Sequence, residues 1–433
     1  MSALEKYSSY KDSGVEWLGN VPQHWEVVKL KYLMYEKKKV HNITLNCGSI
    51  SFGKVVYKDD EKIPHSTKKA YQVVENGNFL VNPLNLNYDL KSLRIALSDL
   101  NVVVSSGYIV LDVLREINKT YLNYLLHRFD VAFMKTLGAG VRQTLNYTDI
   151  SECELVEPPK EEQTKIANFL NEKTAQIDEA IKQKEKLISL LKERRQVLIH
   201  KAVTQGLNPT VKMKDSDIKW IGEIPNHWET TRFRYLFSFS KGLNITKENL
   251  QDKGMPCVNY GEIHSKYGFE VSPDKHNLKC VNEKYLKFSR KSILSYGDFV
   301  FADTSEDIDG SGNFTYLNSD KLTFAGYHTV ITRAIKKINP RFFAYLFDSD
   351  NFRNQVRRKV KGVKVYSITN SILKDILIWI PPMLEQNSIV EELDIETEKI
   401  DKVLSFQENE ITRLKEYKSS LIDSCVTGKV KVL

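Results

Sequence analysis

WLGNVPQHWE, Trp17 to Glu26, returns as WIGEIPNHWE, Trp220 to Glu229, 203 positions further along a chain of 433 residues. The register extends past these ten residues on both sides. Lys11, Asp12, Ser13, Tyr32 and Leu33 come back as Lys214, Asp215, Ser216, Tyr235 and Leu236. Chance does not place two tryptophans, a glycine, a proline and a histidine in matching register, so the chain reads as an internal duplication. His24 and His227 sit beside tryptophans and ahead of Glu26 and Glu229, but no nucleophile stands at a fixed spacing from them. The motif therefore reads as a packing joint, with the tryptophans as anchors and the histidines structural.

A second pair of blocks repeats at an offset of 223: PPKEEQTKIANFL from Pro158 and PPMLEQNSIVEEL from Pro381. Both copies run on for more than forty residues without Pro or Gly, rich in the good helix formers Glu, Lys, Gln and Leu. Apolar residues recur at Ile166, Leu170, Ile177, Ile181, Ile188, Leu191, Leu198 and Ala202. The second copy repeats the same steps from Ile389 through Leu393, Ile400, Leu404, Ile411, Leu414 and Leu421 to Cys425. A period near 3.5 predicts two helices, each roughly 60 Å long at ~1.5 Å per residue. A helix of that length with so narrow a stripe needs a partner, and the other copy is the obvious one. The predicted seam pairs Ile177, Ile188, Leu191 and Leu198 with Ile400, Ile411, Leu414 and Leu421. The competing reading lays each helix on its own globular domain.

The segments between these blocks differ in length and mostly in sequence, yet share landmarks. GNFLVN at Gly77 echoes GDFVFA at Gly297, SGYIVL at Ser106 echoes AGYHTV at Ala325, and YLLHRFD at Tyr124 echoes YLFDSD at Tyr345. LGAGVRQTLNY at Leu137 echoes VKGVKVYSITN at Val360. Short β-branched and aromatic runs broken by Gly and Asn read as strands with a few helices. The expected fold is α+β: two α+β domains and two long helices pairing as an antiparallel coiled coil, with a pseudo-twofold repeat. The expected boundaries are 1–157 for the first domain, 158–207 for the first helix, 208–380 for the second domain and 381–433 for the second helix.

Charge points to a polyanion. Lys and Arg number 63 against 55 Asp and Glu, for a net charge of +8. The longest apolar runs, such as Ile376 to Ile380, fall far short of a membrane span, and the polar N-terminus lacks the apolar core of a signal peptide. Five scattered cysteines, none in a C-x-x-C pair, suit buried thiols in a reducing cytoplasm. Motifs for chemistry are absent from the sequence: no phosphate-binding G-x-x-x-x-G-K-[ST] loop and no H-E-x-x-H. Asn82-Pro83-Leu84-Asn85 departs from the N-P-P-[YF] of adenine methyltransferases. SEDIDG, Ser305 to Gly310, faintly resembles a calcium loop, but its twelfth position is Tyr316 rather than Glu. A turn or a DNA-facing loop is the expectation there, and no metal site is expected.

Taken together, the W-[LI]-G-x-[VI]-P-x-H-W motif opening each half, the proline pair leading into E-Q-x-x-I, and the alternation of globule and helix resemble the specificity subunit of type I restriction-modification enzymes. The resemblance covers essentially the whole chain. It implies that each globule is a target recognition domain on double-stranded DNA and each helix a spacer. It further implies two methylation subunits on the helices and restriction subunits in the full complex, with S-adenosylmethionine, ATP and Mg2+ on those partners and no cofactor or catalysis in this chain. Unlike domains then imply an asymmetric, bipartite target at which a partner methylates adenine or cleavage is licensed. The rival readings are a stand-alone two-domain DNA-binding protein and a coiled-coil scaffold with no DNA role.

Candidate DNA-contacting residues follow from residue type. NFRNQVRRKVKGVKVY, Asn351 to Tyr366, carries Arg357, Arg358, Lys361 and Lys364 and no acid. Its counterpart, Phe133 to Tyr147, holds Lys135, Arg142 and Gln143. Arg and Lys suit phosphates, and Arg or Gln can read base edges bidentately; the alternative is a solvated helix end. VNYGEIHSKYG at Val258 offers Tyr260 and His264 as a reading loop, with a core β-hairpin as the alternative.

Overall fold

The computed structural model describes residues 5–84, 93–134, 144–216, 221–362 and 365–432. Two compact units result, Met1–Glu185 with Glu408–Leu433, and Lys186–Gln407. Both long helices contribute to both units, so the units cut through the helices rather than falling at their ends.

The first long helix spans Lys160–Gln205 and the second Met383–Val426. Each begins immediately after a proline pair, where missing N–H groups cost nothing because the first turn has no intrahelical acceptors to offer. Gln163 N–H donates to Pro159 O at 3.0 Å and its side chain to Pro158 O at 2.9 Å; Gln386 does the same to Pro382 at 3.0 Å and Pro381 at 2.9 Å. Acidic side chains occupy each first turn, facing the positive end of the helix dipole. Gly206 and Gly428 follow the last turns with φ of +71° and +74°, the left-handed stop that a side chain resists.

In the first unit a four-stranded antiparallel sheet runs in the order Met34–Glu36, Ile109–Val113, Phe79–Val81, Ile95–Leu97. Helix Lys119–Phe129 covers it, burying Tyr121, Leu122, Leu125, Leu126 and Phe129. Strand Glu26–Lys29 of the opening motif pairs with Glu154–Glu157, which leads straight into the first long helix. The segment 408–426 of the second long helix belongs to this unit, and Lys418 pairs there with Asp178 at 2.7 Å.

The second unit has a five-stranded sheet in the order Phe237–Lys241, Thr329–Ala334, Phe299–Ala302, Phe314–Leu317, Phe269–Val271, the last pair parallel. Its core is aromatic: Phe233, Phe237, Phe299, Phe301, Phe314, Phe347 and Phe352 meet edge-on and tilted, with ring centroids from 4.6 to 6.2 Å apart. Strand Glu229–Arg232 pairs with Leu377–Ile380, closing this globule as the first is closed. Arg195 of the first long helix lies 3.4 Å from Asp401 of the second.

Along the stripes, Ile166, Leu170, Ile177, Ile181, Ile389, Leu393, Ile400, Leu404, Ile411, Leu421 and Cys425 are buried, whereas Ile188, Leu191, Leu198 and Leu414 are half-buried. At the end of the first long helix the buried apolar positions are Ile199, Ala202 and Val203, one step round from Leu198. The shift has a cause in the second globule. Trp379 donates its indole N–H to Val203 O, and Asn351 bonds His200 at 2.8 Å, so the last turns pack into the aromatic core.

Candidate nucleic-acid interface

The two repeated motifs meet each other in space. In the first unit Trp25 is fully buried and donates its indole N–H to Glu162 Oε2 at 3.0 Å, while His24 Nε2 lies 2.6 Å from Oε1 and Tyr7 donates to Oε2 at 2.8 Å. In the second unit Trp228 donates to Glu385 at 2.9 Å and His227 Nε2 lies 2.5 Å from it. Burial alone would raise the Glu162 carboxyl, and the hydrogen bonds from Trp25, His24 and Tyr7 outweigh it, holding the group below the usual range. The histidines thus pair with the Glu of E-Q at a helix start, not with the neighbouring Glu26 or Glu229. Gln163 and Gln386 in turn accept from the N–H of Asn118 and Asn339 at 2.9 Å, and those asparagines cap helices Lys119–Phe129 and Pro340–Asp348. Tyr124 bonds Asn171 and Thr174; Tyr345 bonds Asp394 and Thr397. This is a joint between globule and helix. Trp220 lies outside the described residues, while Trp17 packs its ring 5.9 Å from Phe129.

Candidates far apart in sequence gather on one face of the second unit. The segment from Val258 is neither a loop nor a hairpin: strand Met255–Val258 is followed by helix Tyr260–Ser265. His264 Nδ1 accepts from the Asn313 amide at 2.8 Å, which leaves Nε2–H to donate to Thr304 O at 2.9 Å. Thr304–Ser305 pairs with Tyr366–Ser367, and Lys361 bridges to Ser367. Arg357 donates to Asp309 O at 2.9 Å, inside the SEDIDG turn that Asp307 caps by accepting from Gly310 N–H at 2.6 Å. His264 and Lys361 therefore meet one short pair of strands, Arg357 holds the turn that follows it, and the Tyr260 ring lies 6.2 Å from that of His264. Their roles differ. Lys361 and Arg358 are exposed; Arg357 holds a turn; His264 has both ring nitrogens engaged and positions the Thr304 strand. Lys135, Arg142, Gln143 and Lys364 lie outside the described residues.

Residues that the sequence did not single out tie this face to the helices. Arg353 donates to Asn313 Oδ1 at 2.6 Å and to Asp348 Oδ1 at 3.0 Å; Asp348 Oδ2 accepts from Arg195 at 3.3 Å, and Arg195 reaches Asp401. The run from His264 to Asp401 crosses five elements in one unit. A lone Arg, Asn or Asp in sequence gives no sign of such long-range partners. The five cysteines are free, and four are buried; burial pushes the Cys47 and Cys153 thiols up to about 11 and Cys425 to about 12, away from nucleophilic use. Among the described residues no helix is long and apolar enough to cross a membrane.

Comparison with known proteins places these features in a class. A family model described as the type I restriction modification DNA specificity domain matches residues 93–189 and 225–413. The chain belongs to that family. Over 422 residues it is 23% identical to the type I restriction enzyme MjaVIII specificity subunit of Methanocaldococcus jannaschii, covering 95% of this chain and 94% of that one. It is 24% identical over 446 residues to the putative MjaX specificity subunit of the same organism, covering 96% of each. A solved structure described as the basis of complex assembly and conformational transition of the type I R-M system shares its fold, with a TM-score of 0.69 at 15% identity, over 94% of this chain and 98% of that one. The protein is a specificity subunit of a type I restriction-modification system, a non-catalytic component. Relatives matched end to end favour neither a stand-alone DNA-binding protein nor a coiled-coil scaffold.

Proposed function

We propose that the chain reads an asymmetric, bipartite target on double-stranded DNA, one half-site per globule, and directs adenine methylation or cleavage by partner subunits. Residues 1–157 and 208–380 are the two target recognition domains, and 158–207 and 381–433 are the spacer helices, paired as an antiparallel coiled coil that sets the half-site separation. The observation that carries this reading is the convergence of Tyr260, His264, Arg357 and Lys361 on one face of the second unit, next to the exposed Arg358. Cations there suit phosphates, and the polar and aromatic groups between them suit base edges. The recurrence of the Trp–Glu joint, the Gln–Asn cap and the tyrosine contacts in both units supports descent of the halves from one repeat with pseudo-twofold symmetry.

Two methylation subunits dock on the helices. Leu187, Leu190, Val197, Ile395, Val403 and Phe406 lie exposed on helical segments of the second unit, which supports a protein partner there. S-adenosylmethionine belongs to those partners, ATP and Mg2+ to the restriction subunits, and the complex works in the cytoplasm. The test is methyl transfer from labelled S-adenosylmethionine. The chain alone should transfer none, and the chain with its methylation subunits should modify adenines in duplex DNA carrying both half-sites. Transfer by the isolated chain, or an assembled complex without sequence preference, contradicts the reading.

A further inference from the structure

We propose that His328 is a specificity-determining residue of the second recognition domain, presenting Nε2 to an exocyclic base amine in the major groove while Asp303 and Tyr260 hold the ring in place. This rests on the reading of that globule as a DNA-binding domain.

The placement begins with the backbone. His328 has φ of +53°, a left-handed conformation rare for a residue with a Cβ. Such strain persists where the surroundings impose it, and it concentrates at functional sites. Here they do impose it. Asp303 N–H donates to His328 O at 3.0 Å, Gly326 N–H to Val258 O at 2.7 Å, and the Thr329 hydroxyl to Gly326 O at 2.7 Å. A Cβ at Gly326 would overlap the Asn259 amide, so the loop is packed without slack.

The side chain is fixed as firmly, yet it faces solvent. Its Nδ1 lies 3.1 Å from Asp303 Oδ1, and the side chain is 54% exposed. The Tyr260 ring meets it edge-on at 5.3 Å and meets Tyr327 at 5.4 Å. A carboxylate only accepts, so Nδ1 carries the hydrogen and Nε2 of the neutral ring is an acceptor. In the major groove the matching donors are adenine N6 and cytosine N4. Asp303 O accepts from Ile368 N–H at 2.8 Å, next to the Ser367 that Lys361 bridges, so the ring stands beside the cationic side of the same face. The equivalent landmark in the first half places buried Ile109 where the second has His328, so the feature belongs to one half-site only. His264, the histidine its sequence context favours, has both nitrogens engaged, whereas His328 has one to offer.

The experiment uses the full chain assembled with its methylation subunits and a DNA pool randomised across the second half-site, with methylated sites read by sequencing. Two variants remove the imidazole without forcing the backbone: His328→Gly, since glycine accepts positive φ freely, and His328→Asn, which tolerates it. Preference at a single base pair, for A or C on one strand, should fall about tenfold in one or both variants. Preference at the first half-site should be unchanged. Unchanged preference at every position in both variants overturns the assignment, as does uniform weakening with no position singled out. A wild-type complex that selects no sequence at all contradicts the proposed function instead.

Discussion

At Glu162 three donors converge on one carboxylate, and what looked in sequence like a histidine beside a glutamate becomes a clamp between the opening motif and a helix 138 residues away. Removing that acceptor leaves the buried Trp25 indole N–H unpaired. Glu162→Ala should therefore destabilise the first unit by about 2 kcal/mol, measured as a lowered urea midpoint; a midpoint unchanged within error would show that the joint is ornamental. His127 makes the stability of the same unit depend on pH. Burial depresses it to about 4 from 6.5, and it donates from Nε2 to Ile95 O at 2.9 Å. The unfolded chain takes up the proton first, so stability is fully present above pH ~6.5 and declines as pH falls toward ~4, by up to ~3 kcal/mol. His127→Gln, which keeps a donor, should flatten that decline, and an identical slope in the variant would assign the acid sensitivity to other groups. On the proposed DNA face, Lys361→Ala should weaken all duplexes equally and lower the salt slope by about one. An unchanged slope would remove Lys361 from the phosphate contacts. The sequence marked Tyr260, His264 and the cations by residue type. It could not rank them, because ranking needs the partners, and Asn313, Thr304 and Asp309 lie 40 or more residues from the groups they engage.

The long helices were the most legible elements. A stripe with steps of three, four and seven announces itself, and Gly and Pro mark both ends. The last turns of the first helix departed because Ile199 and Val203 answer to the aromatic core of the second globule, a tertiary preference that periodicity does not contain, and Ile188, Leu191 and Leu414 are only half-buried. The burial along the stripe grades the cost of disrupting it. Ile400 is buried and Leu191 half-buried, so Ile400→Glu should cost several kcal/mol and Leu191→Glu distinctly less. Unfolding midpoints and capture of methylation subunits by the two variants check the order; equal effects would mean that the stripe is not the packing face. Strands were legible as a class but not as pairings. The parallel contacts of Phe269–Val271 with Phe314–Leu317 and of Met255–Val258 with Thr323–Ala325 join segments more than forty residues apart. Nothing local in a three-residue run specifies such a neighbour.

Across the whole molecule each compact unit takes its closing helical turns from the other half of the sequence. Gly206 lies against Trp228, and Gly428 against Trp25 and Pro22, so each helix ends on the opening motif of the unit it completes. A half-chain of residues 208–433 lacks Ile199 and Val203, yet it carries Cys425, Val426 and Gly428 at the corresponding places. Two copies should therefore complete each other as a two-fold dimer and, with methylation subunits, mark an interrupted palindrome built from the second half-site. A folded half-chain that sediments as a monomer at micromolar concentration would contradict this. The central claim, that two unlike globules read two unlike half-sites at a fixed separation, is tested most directly by methylation-aware sequencing of a host carrying this chain with its methylation subunit. One new methylated motif is expected, asymmetric and bipartite, with one modified adenine in each half-site and a constant unspecified gap between them. A continuous motif, a palindromic one from the intact chain, or no new methylation at all would contradict it.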